Sequence, residues 1–187
     1  MKHMEADWEF EVGGNAPVID ACWAGLIDLR RSPERAWQLP ETAQFPALAE
    51  ALAKLNAAAS PVWTSKCDVW PHLNAGEFDP DEMDAPPGCA THTMGCYIDL
   101  LPRVDQQWAV PATVAAECKR VCGLLCAVPQ RCCRVDLVIR RAYVTAERID
   151  MGVTAYITSC GESSAEAERT LQTALERFAD ALCATQR

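Results

Sequence analysis

The sequence predicts an α+β domain, a two-layer sandwich in which a mostly antiparallel six-stranded sheet carries three helices on one face. Three observations predict it. Three segments repeat apolar residues at helical spacing, six others alternate apolar with polar residues and are rich in β-branched and aromatic types, and the two kinds follow in the order β-β-α-β-β-α-β-β-α. With 187 residues, 50% of them hydrophobic, the chain can close one core of ordinary domain size, so a single domain over 1–187 is expected.

Residues 1–6 read as a flexible or tag-derived extension, Met4 being as good a start as Met1. Strands are then expected at about 7–12 and 20–30, followed by a turn of helix at 33–37 and a helix at about 46–57 that carries Leu48, Leu52 and Leu55. A strand at about 61–70 leads into a long acidic loop, 71–88, and a further strand at 90–101. The next helix, about 111–127, tolerates Pro111 in its first turn and turns Val114, Cys118, Val121, Cys122 and Leu125 inward, with Pro129 closing it. At 133–143, Val135, Leu137 and Ile139 alternate with Arg134, Asp136 and Arg140, and 151–159 alternates likewise, which makes the two a hairpin. Ser163 and Glu166 have capping-box spacing ahead of a last helix at 163–184, whose stripe is Leu171, Leu175, Phe178 and Leu182.

A weak internal repeat runs through this order. Leu26-Ile27-Asp28-Leu29 aligns with Tyr97-Ile98-Asp99-Leu100, each followed by a helix that begins Pro-Ala and by a basic-x-acidic-apolar strand, Lys66 to Val69 and Arg134 to Leu137. Duplicated β-α-β units pack as a sandwich of the ferredoxin-like type, which is the architecture the repeat suggests.

Charge excludes some partners. With 26 acidic and 17 basic side chains the net charge is −9, which repels a phosphate backbone and an anionic bilayer, so neither nucleic acid nor membrane is expected. The eleven cysteines are an odd number, no apolar signal segment follows Met1, and several thiols fall at core spacing, so a cytoplasmic protein with reduced, structural thiols is expected.

Three helices on one face leave the other face of the sheet open. The alternation places Asp28, Lys66, Asp68 and Trp70 there from the earlier strands, then Tyr97 and Asp99, and finally Arg134, Asp136, Arg140, Thr154 and Tyr156. Carboxylates brought side by side, Asp68 with Asp136 or Asp28 with Asp99, would suit general acid and base roles. The loop that starts at the end of the 61–70 strand carries Glu77, Asp79, Asp81, Glu82 and Asp84 around Phe78 and Met83, and is read as a lid or docking loop. Cys67 and His72 before it, with Cys89, His92 and Cys96 after it, are the residue types of a zinc site, although their spacing matches no common zinc ribbon. Phosphate-loop, nucleophile-elbow and zincin motifs are missing from the sequence, and no cofactor is expected.

The function these features favour is an acidic cytoplasmic protein-binding module of the chaperone, adaptor or immunity-protein kind. It would use the open face, the acidic loop and the aromatic rings of Trp70, Phe78 and Trp108 against a basic partner. A small-molecule binder or carboxylate enzyme on the same face is the first alternative, a zinc protein the second, and dimerisation through the open face is a further option.

Overall fold

A computed structural model describes residues 3–71, 79–145 and 148–184. The strands are β1 (Glu5–Phe10), β2 (Ile19–Asp20), β3 (Val62–Pro71), β4 (His92–Pro102), β5 (Cys133–Thr145) and β6 (Arg148–Gly161), and the helices are α1 (Pro46–Asn56), α2 (Pro111–Leu125) and α3 (Ser164–Cys183). They form one six-stranded sheet in the order β1-β5-β6-β4-β3, with β2 also alongside β5. The long central pairs are antiparallel, whereas β1 and β2 run parallel to β5.

The helix stripes meet the sheet as their periodicity requires. Val114, Cys118, Val121, Cys122 and Leu125 of α2 are the buried residues of that helix, and Leu171, Leu175, Phe178 and Leu182 of α3 are all buried. They face Cys96, Ile98 and Leu100 of β4, Val135, Leu137 and Ile139 of β5, and Val153, Ala155 and Ile157 of β6, forming one continuous core. The N-terminus of α3 is closed by the Ser163 hydroxyl, which accepts from the Glu166 N–H at 3.3 Å, while the Glu166 carboxylate accepts from Glu162 N–H instead of completing the box at Ser163.

Four expectations are corrected. The strand expected over 20–30 contracts to Ile19–Asp20, because Asp20 and Asp28 each accept the N–H two residues on, from Cys22 and Arg30, and Gly25 takes φ +104°. These are turn formers, and they end extended structure. The internal repeat loses its first strand with it, since Leu26 to Leu29 lie outside any strand, and a ferredoxin-like duplication is not shown. What does recur is a hairpin followed by a helix, β3-β4-α2 and β5-β6-α3, with β4 and β6 side by side. The N-terminal segment is part of the fold from Met4 on: Met4 is buried, its N–H donates to Val128 O at 2.9 Å, and Glu5 and Ala6 pair with Arg134 and Val135. Trp108, expected as an exposed ring, is buried in the helix-side core.

All eleven cysteines are free. Burial pushes the thiols of Cys118, Cys122, Cys133 and Cys160 up to about 12, so at neutral pH they are protonated and behave as small apolar groups. Thiol reagent added to native protein should label the exposed Cys22 and Cys126 first and these four only on unfolding, with eleven equivalents titrated in denaturant. Phe178 is fully buried at the centre of the α3 stripe, so Phe178→Ala should lower unfolding free energy by ~3–5 kcal/mol in urea titrations.

Candidate functional site

The face of the sheet opposite the helices is covered at both ends by coil. At one end the chain after β2 crosses the sheet from β5 to β3 and builds a second small core of Ile19, Ala21, Trp63, Leu101 and Ala142. It is tied down by the Ser65 hydroxyl, which donates to Asp20 O at 2.9 Å, and by the Arg30 guanidinium, 4.1 Å from the centre of the Trp63 ring. Gly152 makes this crossing fit, since a Cβ there would stand 2.8 Å from Ile19 Cδ1. At the other end a 3-10 turn, Pro80–Met83, lies against the ends of β5 and β6, with Met83 buried and its carbonyl accepting from Cys132 N–H at 3.0 Å. Glu82 reaches Arg134 at 3.6 Å, which places this part of the acidic loop on the open face.

Between the two covers lies a trough whose residues follow from the register. One row across the sheet is Asp68, Tyr97, Tyr156, Asp136 and Asp7, and the next is Asp99, Thr154, Val138 and Glu9. Trp70 pairs with Gly95 and lies flat over it: a Cβ on Gly95 would meet the indole at 2.8 Å. The rings of Trp70, Tyr97 and Tyr156 therefore step across three strands with centroids 6.2 and 6.3 Å apart. Arg140 ends the series, 5.5 Å from the Tyr156 ring and donating to its hydroxyl at 3.0 Å.

The basic groups of the trough are mostly engaged. Arg140 is held by Glu11 at 2.5 Å, and Arg134 donates to both oxygens of Asp136. Among the described residues Asp7, Glu9, Asp68 and Asp99 have no ionic partner. Asp99 is buried, and its Oδ1 accepts from the Thr154 hydroxyl at 2.6 Å. Burial pushes its carboxyl above the ordinary value, against the Thr154 hydrogen bond and the positive charges of Arg140 and Lys66. Burial also raises Asp136, with Arg134 opposing.

Of the residues read from the sequence, Lys66, Asp68, Trp70, Tyr97, Asp99, Arg134, Asp136, Arg140, Thr154 and Tyr156 share this face. Asp28 does not: it lies in the crossing segment, where its carboxylate caps Arg30 at 2.8 Å. The two carboxylate pairs also fail to form, because Tyr97 and Tyr156 stand between Asp68 and Asp136, and Asp28 is off the sheet. The neighbour of Asp136 is Asp7, one strand over. Asp7, Glu9 and Glu11 are not among the residues expected on this face, although alternation of Asp7 and Glu9 with Ala6 and Trp8 carried the signal for the first two.

The metal candidates do not converge. Cys67 and Cys96 point to the helix side, with burial pushing Cys67 up to about 12, whereas Cys89 donates to Glu162 at 3.2 Å and His92 Nδ1 lies 3.2 Å from the Thr91 hydroxyl. His72, like Glu77 and Phe78, lies outside the described residues, and among those described no set of three or more His, Cys, Asp or Glu side chains is arranged to hold a metal ion. No described helix is long and apolar enough to cross a membrane. No protein-family model, curated protein or solved structure matches the chain.

The raised Asp99 carboxyl gives a stability prediction. A carboxyl with a raised folded value favours the folded state in its protonated form, so its contribution is present below the ordinary 3.8 and is lost as pH rises through the folded value. Asp99→Asn keeps an oxygen for the Thr154 hydroxyl and removes the buried charge. It should therefore raise the urea midpoint at about pH 7 and change it little at about pH 3, where the wild-type carboxyl is already neutral.

Proposed function

We propose that this chain is a binding module for a cationic protein partner, which docks along the trough between the crossing segment and the Pro80–Met83 turn. The observation that carries this reading is the combination of Asp7, Glu9, Asp68 and Asp99, all without an ionic partner among the described residues, with the ring series Trp70, Tyr97 and Tyr156. Unpaired carboxylates steer a basic surface towards the face and select its charge, and half-buried rings supply the contact area that holds it. Self-association through this face fits less well, because two copies would oppose carboxylate to carboxylate. A net charge of −9 adds the long-range attraction.

The edges of the sheet support docking on the face over strand addition. The N–H groups of Val62 and Thr64 on the edge strand β3 already donate to Ser60 Oγ and Asn56 Oδ1, and β3 is bulged between Thr64 and Cys67. At the other edge β1 is six residues long and lines its open side with Glu5, Asp7 and Glu9. A strand offered to either edge meets occupied donors or negative charge.

A fluorescein-labelled Lys/Arg-rich peptide, and an Asp/Glu-rich peptide of equal length, provide the test by fluorescence anisotropy. Only the basic peptide should bind, more weakly as salt rises. Tyr156→Ala should cost about 2 kcal/mol of affinity, the size of a buried aromatic contact at an interface. Asp68→Asn and Asp7→Asn should slow association. If Glu168→Gln and Glu176→Gln on the exposed side of α3 weaken binding as much as the trough variants do, the peptide is reading net charge alone and this docking site is wrong.

A further inference from the structure

Where the chain from Trp23 to Glu41 rounds the edge of β3, it encloses a cavity of about 600 Å³ that opens at one end of the trough. That volume lies within the usual range of small-molecule sites, roughly 300–1,000 Å³. Its walls are apolar and come from both sides of the strand, Trp23 and Ile27 with Leu39 and Leu52. Trp23 is fixed in place, its indole N–H donating to Ser65 O at 3.4 Å and its ring packed over Gly25, where a Cβ would come within 2.9 Å of it. The cavity therefore has a built aromatic wall.

The charged groups of its lining are Glu41, Lys66 and Asp68, with Thr64, Ser65 and the Tyr97 ring among the other polar ones. The bulge between Thr64 and Cys67 is what turns Lys66 into this position. Its ammonium sits 5.5 Å from the centre of the Trp23 ring, and it makes no ion pair among the described residues, although two carboxylates share the cavity with it. Asp68 turns Oδ1 back to the Val69 N–H at 2.8 Å, and Glu41 is half-buried; among the described residues neither Asp68 Oδ2 nor Glu41 has an ionic partner. Lys66, Glu41 and Asp68 line one partly apolar cavity without forming an ion pair among the described residues, an arrangement that suits a ligand carrying both charges and an apolar body.

We infer that this cavity binds a free α-amino acid with a large apolar side chain. Its ammonium group would donate to Asp68 and Glu41, its carboxylate would accept from Lys66, and its side chain would lie between Trp23 and Leu39. This site stands apart from the docking reading, with which it shares only Asp68 and Tyr97; loss of peptide binding would leave it intact.

Isothermal titration calorimetry on the whole chain tests it with L-phenylalanine, L-leucine and L-tryptophan, each against its amide and its N-acetyl derivative, which keep the body and remove one charge. At least one free amino acid should bind, and bind at least about tenfold more tightly than its own amide and N-acetyl forms, with glycine showing no heat. Lys66→Met should bring that amino acid down to the level of its amide, and Glu41→Gln with Asp68→Asn should bring it down to the level of its N-acetyl form. The wild-type series decides the matter without the variants. If none of the three binds, or if the amide or the N-acetyl form binds within tenfold, as it would in a site for a chain terminus, the inference is overturned.

Discussion

A six-stranded sheet has two faces, and three helices of ordinary length cover one of them. Everything particular to this molecule follows from how the second face is treated. In an antiparallel sheet that face can stay wet, with alternating polar side chains, but wide wet sheets leave apolar residues such as Trp63, Leu101 and Val138 in water. The chain resolves this with two pieces of coil. The segment after β2 buries Trp63 and Leu101 under Ile19 and Ala21, and the Pro80–Met83 turn inserts Met83 at the opposite end. The trough is the part of the face that, among the described residues, lies between these two pieces, and its carboxylates and rings stand there in register on neighbouring strands.

The covering coil also creates the cavity. A loop that must pass from the open face to the helix layer has to round the edge of β3, and the bulge between Thr64 and Cys67 shifts the register at that edge. Just before the bulge, Asn56, buried at the end of α1, holds Thr64: its amide donates to the Thr64 hydroxyl at 2.7 Å and accepts from the Thr64 N–H at 3.1 Å. Arg103 then donates to Asn56 O at 2.8 Å, so the end of α1, the start of β3 and the end of β4 are held by one buried polar network. Such networks are costly when incomplete, and here the Thr64 N–H at the start of the edge strand is used in satisfying it.

Most of the fold was legible because periodicity reports which side of an element meets apolar neighbours. The stripe of α2 names the buried residues of that helix one for one, and the stripe of α3 and the alternation of β5 name only buried residues, leaving out the buried alanines of α3 and Cys133, Val138 and Ala142 of β5. Alternation also put Asp68, Tyr97, Asp136 and Tyr156 on one face, and they form a single row. It could not say which strands are neighbours. Pairing Asp68 with Asp136 assumed that β3 and β5 touch, whereas β4 and β6 lie between them, and the parallel return of β1 beside β5 leaves no local signature. The segment 20–30 misleads for a different reason: the sheet keeps only Ile19 and Asp20 of this stretch, and Ala21, just beyond the strand, is apolar because it packs with Ile19 on Trp63 and Leu101. Trp108 was placed outside by the polar residues beside it, yet it fills the space between α2 and the sheet.

The chemistry available on this chain then argues for recognition. Several of its cysteines are spent on packing, with burial pushing Cys67, Cys118, Cys122, Cys133 and Cys160 up to about 12. Two carboxyls have the raised value often found in catalytic groups, and one of them, Asp99, has a threonine hydroxyl as its hydrogen-bond partner and Thr154, not a carboxylate, opposite it on β6. Asp136 does have a carboxylate neighbour in Asp7, but Arg134 neutralises it with hydrogen bonds to both oxygens. What is left unneutralised is spread along the trough and around the cavity at its end, beside rings and apolar walls. Charges placed that way would select ligands by sign and spacing, which is the ground on which a binding role is proposed.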